Sequence, residues 1–195
     1  MTGQPRGVLE SVKDSIISTM KGGGDIVNTV VDVVSGVVTN TFADAGTMGT
    51  SALTALTDVI RGAIYGVRAV GSDLGLGAKG ILIGVLRGTR ETGQATFETI
   101  SEVAGSVIKQ TAEVAGDLGT ATKGIVEGAI VGATELGLDV EEAASAAASG
   151  ALKAAGEIGS TAVEQVRKVS AETVAGVKVV AKEPAEHAPT IPQTP

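Results

Sequence analysis

The 195-residue sequence contains no cysteine and no tryptophan, and its only aromatic residues are Phe42, Phe97 and Tyr65. The absence of cysteine excludes disulfides, thiolate metal ligands and cysteine nucleophiles, and it is typical of cytoplasmic proteins. A compact core normally obtains much of its buried area from large side chains. The buried groups of this chain must therefore be small and repetitive, and the sequence supplies 28 glycines with many alanines and valines.

Several functional classes lack the residues that they need. The only histidine is His187, in a proline-rich tail, so there is no paired metal-ligand spacing and no base beside a serine or threonine. We therefore expect no enzyme activity and no resident cofactor. The net charge of −7 argues against nucleic-acid binding. No secretory signal is visible, and no run reaches the roughly 18 to 20 apolar residues that span a bilayer.

Apolar residues recur every eleven positions in one phase from Ile26 to Val180, and only Thr92 interrupts this series. Eleven residues in three turns favour a right-handed supercoil. The six most apolar positions of the repeat cover an arc of roughly 165°, and only Asp44 and Glu141 place a charge there. The pattern predicts an all-α protein of long helices, which form a right-handed, tetrameric coiled-coil tube or scaffold.

The chain also repeats at longer range. Residues 67–93 align without a gap with residues 111–137 and share eleven identities, which indicates a quasi-linear architecture. Each glycine costs about 1 kcal/mol inside a helix, unless it allows another backbone to approach closely. The stretches 21–24 and 71–77 could instead break the helix, and the sequence leaves both possibilities open.

We divide the chain into three segments. Residues 1–80 are predicted to form an apolar, membrane-proximal stalk, residues 81–183 a helical scaffold for partner subunits, and residues 184–195 a disordered tail. The broad apolar arc is wider than a two-stranded seam needs, and about four parallel strands around a central apolar space suit it. Such a space would accept a lipid-like molecule such as an isoprenoid quinone. The predicted lining residues are Val27, Val30, Val34, Val37, Val38, Val59, Ile60, Val67, Val70 and Ile81.

Charge is unevenly distributed along the chain. Residues 58–90 carry a local charge of +3, whereas residues 91–165 carry −9. The basic residues are either an ordinary solvated face or a contact for anionic lipid headgroups or an acidic partner. These residues are Arg61, Arg68, Lys79, Arg87 and Arg90.

The glycine-, alanine- and valine-rich repeats, the apolar segment DIVNTVVDVVSGVV, the lack of cysteine and histidine ligands, and the proline-rich end resemble one known type of subunit. This is the membrane-associated stalk subunit of the actinobacterial high-affinity uptake [NiFe] hydrogenase. The resemblance implies a homotetramer that binds the hydrogenase large and small subunits. It also implies attachment to the inner face of the cell membrane and passage of menaquinone through the tube as a transient guest.

A second function class also fits amphipathic eleven-residue repeats. Proteins that coat lipid droplets or polyester granules, similar to perilipins, synucleins and phasins, lie flat on a lipid interface. The acidic segment 91–165 would be repelled by anionic headgroups, which favours the stalk. The assembly state of the chain without lipid distinguishes the two.

Overall fold

The computed structural model describes residues 7–45, 50–90, 93, 95–171 and 173–181. In this part the chain forms eight α-helices and a two-stranded antiparallel hairpin, which confirms the predicted all-α class. The elements are α1 (Val8–Lys21), α2 (Ile26–Ala45), α3 (Thr50–Ala69), α4 (Leu74–Arg90), α5 (Phe97–Glu113), α6 (Leu118–Leu136), α7 (Val140–Ile158), α8 (Ser160–Ser170), β1 (Thr173–Val174) and β2 (Val177–Lys178). The tail predicted for residues 184–195 lies outside the described residues.

The prediction of long helices is wrong, because the described helices have between 11 and 20 residues. The chain turns between α1 and α2 and again between α3 and α4, at the two glycine-rich stretches that the sequence left open. From Val8 to Val140 the chain advances 132 residues over six helix-to-helix intervals, a mean of 22. Each helix with its turn thus uses about two eleven-residue repeats. The apolar positions of one helix therefore continue in the same eleven-residue register in the next helix.

Side-chain caps fix where several helices begin. The Leu76 backbone N–H donates to the Asp73 carboxylate over 3.0 Å, and the Glu142 N–H donates to Asp139 over 2.8 Å. Thr96 accepts in the same way at the start of α5. Such a cap is worth about 1 kcal/mol. At the end of α6, Gly137 adopts φ +70°, which glycine tolerates without strain.

The helices form two layers in which alternate helices lie side by side. The odd layer contains α1, α3, α5 and α7, and the even layer contains α2, α4, α6 and α8. Helices α2 and α4 run parallel, because Gly80, Gly84 and Gly88 of α4 meet residues of α2 in the same ascending order. The glycine contacts of the pairs α1–α3, α4–α6 and α5–α7 ascend in the same way. The fold is thus a short two-layer helical stack, in which each helix packs on the helix two further along the chain.

One apolar core runs through both layers. Helix α4 is buried on almost every side, since only five of its residues are not buried: Leu74, Leu76, Lys79, Arg87 and Arg90. It packs against α2 on one side and α6 on the other. The predicted boundary between residues 80 and 81 lies inside α4. The outer faces of α1 and α8 are polar, as in the terminal units of repeat proteins.

Candidate functional site: glycine seams and charged faces

The ten residues predicted to line a tube lie in or beside the core of a single chain. Seven of them are buried, with at most 1% of each side chain exposed; these are Val30, Val34, Val38, Val59, Ile60, Val67 and Ile81. Val27, Val37 and Val70 are half-buried. The apolar stripe is therefore covered by neighbouring helices of the same chain.

Helices α2 and α4 meet along a line of glycines, which we call the α2–α4 seam. A Cβ at Gly84 would lie 2.9 Å from the Val34 Cβ and 3.0 Å from the Val31 carbonyl oxygen. Gly80 and Gly88 meet Val30 and Val38 in the same way, one turn below and one turn above. The missing side chains let the two backbones approach closely, which repays the helix-propensity cost of glycine.

Three further parallel pairs have a seam of the same kind. In α1–α3, a Cβ at Gly66 would lie 3.2 Å from the Lys13 carbonyl oxygen, and in α4–α6 a Cβ at Gly128 would lie 2.8 Å from that of Lys79. In α5–α7, a Cβ at Gly150 would overlap the Ser101 carbonyl. Most of the glycines within the described helices are thus contact positions between helices two elements apart.

Ion pairs join neighbouring helices within a layer. Arg87 of α4 donates two hydrogen bonds of 2.7 Å to the Glu135 carboxylate of α6. The remaining pairs are Arg61–Glu113 at 2.7 Å, Lys79–Glu127 at 3.3 Å and Lys109–Glu157 at 2.6 Å. In every pair the earlier helix supplies the cation and the later helix the acid. Five basic residues were predicted to contact an acidic partner. Three of them are thus already paired with a glutamate of the same chain.

The ion pairs change the protonation equilibria of their members. The Arg87 hydrogen bonds lower the pKa of Glu135, and Arg90 lowers it further through its charge. Lys109 lowers the pKa of Glu157 in the same way. Glu113 raises the pKa of Arg61, and Glu135 raises that of Arg87. Arg68 and Arg90, the other two predicted basic contacts, are exposed.

The concave features of the described chain are shallow grooves. The one beside the α5–α7 seam has a volume of about 390 Å³ and is lined by both charged and small residues, among them Lys109, Glu157 and Gln110. Gln110 is 6% exposed, and its Oε1 has no hydrogen-bond partner. Within the described residues, no three His, Cys, Asp or Glu side chains are placed to hold a metal ion. No described helix is long and apolar enough to cross a membrane.

The acids that pair with the basic residues were missed by the sequence analysis. A signal existed, because Lys79, Arg87 and Lys109 each precede their partner acid by 48 residues. This separation is two helix-and-turn units of about 22 residues plus about one further helical turn. Three of the cations in residues 58–90 pair with acids in residues 91–165. No family model matches this sequence, and no curated protein matches it.

Proposed function

We propose that this chain is a non-catalytic helical scaffold that assembles as an oligomer and carries other subunits on its layered faces. The observation that supports it is the set of glycine seams, which join four pairs of helices two elements apart: α1–α3, α2–α4, α4–α6 and α5–α7. Outer-face side chains then lie at regular positions on a connected, rigid surface. Repeat architectures typically use surfaces of this kind to bind other proteins.

Within that class we propose the specific role that the resemblance implies. The chain would be the homotetrameric stalk of a respiratory hydrogenase on the cytoplasmic side of the cell membrane, bound to the large and small subunits. Menaquinone would pass as a transient guest along apolar surfaces of the stalk. Because seven of the ten predicted lining residues are buried within one chain, such a path needs an apolar space between copies or a separation of the two helix layers.

Membrane attachment in this role would use the basic residues that are not committed inside the fold. Arg61, Lys79 and Arg87 are paired with acids of the same chain. Arg68 and Arg90 are exposed and are better placed to meet anionic headgroups. Replacing both by glutamine should reduce binding to vesicles that contain anionic lipid, while the same change at Arg61 should not.

The assembly state tests the scaffold. We expect light scattering of the purified chain without lipid to give a multiple of the 19.2 kDa chain mass, with four copies for the stalk. A monomer that keeps its fold would overturn the oligomeric scaffold. A monomer that becomes helical only on vesicles or droplets would support the lipid-coat alternative instead.

The quinone role has a separate test in cells that contain the complex. Val37 is half-buried in α2, so Val37→Asp would place a charge on the predicted path with limited damage to the core. We expect quinone-linked electron flow to stop while hydrogen oxidation with a soluble dye continues. Val163→Asp in α8, also half-buried, is the matched control and should keep quinone reduction. Normal quinone reduction in Val37→Asp would contradict the conduit.

A further inference from the structure

One glycine inside a helix has no contact that explains it. Of the fifteen glycines within the described helices, thirteen would place a Cβ within 4 Å of atoms outside their own helical turn. The exceptions are Gly36 and Gly156. Gly156 lies in the last turn of α7, where helices fray. Gly36 lies in the middle of α2, where glycine is a much poorer helix former than alanine.

Gly36 lies on an exposed face of α2, at the edge of the even layer. Asn28, Asp32 and Asn40 are exposed on the same face at four-residue spacing, and together with Gly36 we call this the α2 face. Val33, beside it, is half-buried. Because α2 is the first helix of the even layer in the described chain, this face continues the direction in which α4 and α6 stack.

The polar residues of the α2 face are arranged symmetrically about Gly36. Asp32 and Asn40 are each four residues away, about 6 Å along the helix axis. When a second α2 crosses antiparallel with its own Gly36 at the centre, each Asp32 lies opposite the Asn40 of the other copy. The Asn40 amide then donates to the Asp32 carboxylate in both halves of the contact.

We propose that the α2 face is a two-fold symmetric interface between two copies of this chain, with Gly36 at the helix crossing. The inference rests on the oligomeric scaffold proposed above and names one of its contacts. Gly36 would allow close approach of the two backbones, as the seam glycines do within one chain. An isologous contact of this kind is self-complementary, and combining it with a second contact gives a tetramer.

The charge on the α2 face favours a second copy over a lipid surface. Helix α2 contains acidic residues and no lysine or arginine, so anionic headgroups would be repelled. The charge of Asp32 also attracts the Arg87 guanidinium of the same chain and helps to raise the pKa of Arg87. The carboxylate therefore keeps a counter-charge nearby when water is excluded, and one added amide hydrogen bond completes its environment.

Cross-linking tests the geometry, since the natural chain has no cysteine. Gly36→Cys should form an intermolecular disulfide under mild oxidation, because disulfides need Cα atoms within about 7 Å. Asp32→Cys alone should not, because its two copies would be about 12 Å apart along the axis. A mixture of Asp32→Cys and Asn40→Cys chains should cross-link to each other. Gly156→Cys, an equally open helical glycine, is the control; equal rates for it and Gly36→Cys would overturn the proposal.

A charge swap tests the pairing by sedimentation. Asn40→Asp places carboxylates opposite each other and should weaken the contact at least about tenfold. Asp32→Asn with Asn40→Asp restores the amide–carboxylate pairs and should recover most of the lost affinity. Gly36→Arg should separate the copies while circular dichroism stays unchanged, and Gly156→Arg should not. If the chain is oligomeric and Gly36→Arg leaves its mass unchanged, this interface is wrong and the scaffold survives. A monomeric natural chain overturns both.

Discussion

Adding one methyl group to a seam glycine should destabilise the fold, although alanine is the better helix former. In Gly84→Ala the new Cβ would lie 2.9 Å from the Val34 Cβ and 3.0 Å from the Val31 carbonyl oxygen, whereas ordinary contact begins at 3.4 Å. Helices α2 and α4 must therefore separate by about 0.5 Å, which costs roughly 1–3 kcal/mol as overpacking. The gain in helix propensity offsets about 1 kcal/mol of this.

The net expectation for Gly84→Ala is a loss of up to about 2 kcal/mol in the free energy of unfolding. Gly156→Ala is the matched control, because its Cβ would meet nothing within 4 Å, and we expect it to be neutral or to gain up to about 1 kcal/mol. Urea unfolding followed by far-ultraviolet circular dichroism measures both, since the chain has no tryptophan. If Gly84→Ala is as stable as Gly156→Ala, the seam does not limit the approach of the helices.

Three further perturbations test other parts of the fold. Ala115 adopts φ +52° at the end of α5, so Ala115→Gly should raise the free energy of unfolding by about 1 kcal/mol, whereas Ala112→Gly within α5 should lower it by a similar amount; equal effects in urea unfolding would contradict the strain. Arg87→Glu should cost less than about 1 kcal/mol, because the pair with Glu135 is partly exposed, and adding Glu135→Arg should restore the loss at low salt. Hydrogen bonds from the Thr120 backbone and side chain lower the pKa of Asp117 below its ordinary 3.8 in the folded state, so its stabilisation is complete above that pH and is lost as the pH falls through the lowered pKa. Asp117→Asn should therefore match the natural chain near pH 7 and show a smaller loss of stability between pH 5 and 2; an unchanged pH dependence would exclude this contribution.

Burial could be predicted from the eleven-residue pattern, but helix length could not. Ile81, Val34 and Val59 are in apolar positions of the repeat and are all buried. The same pattern is compatible with one long helix or with helices of about 22 residues including their turns, because both keep the phase. The turn after α3 contains Gly71 and ends at the cap Asp73, yet Gly75 and Gly77 just beyond it lie inside α4. Composition alone does not separate turn glycines from seam glycines.

The charged contacts were predictable only in part. Arg61, Lys79 and Arg87 were recognised as a basic group that could meet acids. The partner acids belong to the same chain because alternate helices stack in parallel. No local sequence pattern predicts this stacking. Gly84 and Gly36 illustrate the same limit, since both interrupt valine-rich or isoleucine-rich helices, and only the three-dimensional arrangement shows that the first is covered and the second is open.

The pairing of alternate helices has a consequence for how the chain reaches its native state. Helix α2 cannot complete its contact with α4 until all of α3 has left the ribosome, so each seam closes over a loop of a whole helix with its turns. The sequence separation of native contacts is thus large for an all-helical protein, and such topologies fold more slowly than bundles of sequential neighbours. Until α4 arrives, the valine edge of α2 that its glycines will cover remains available to nascent chains of the same kind. Growth of the stack during translation should therefore be the step most prone to exchange of helices between copies.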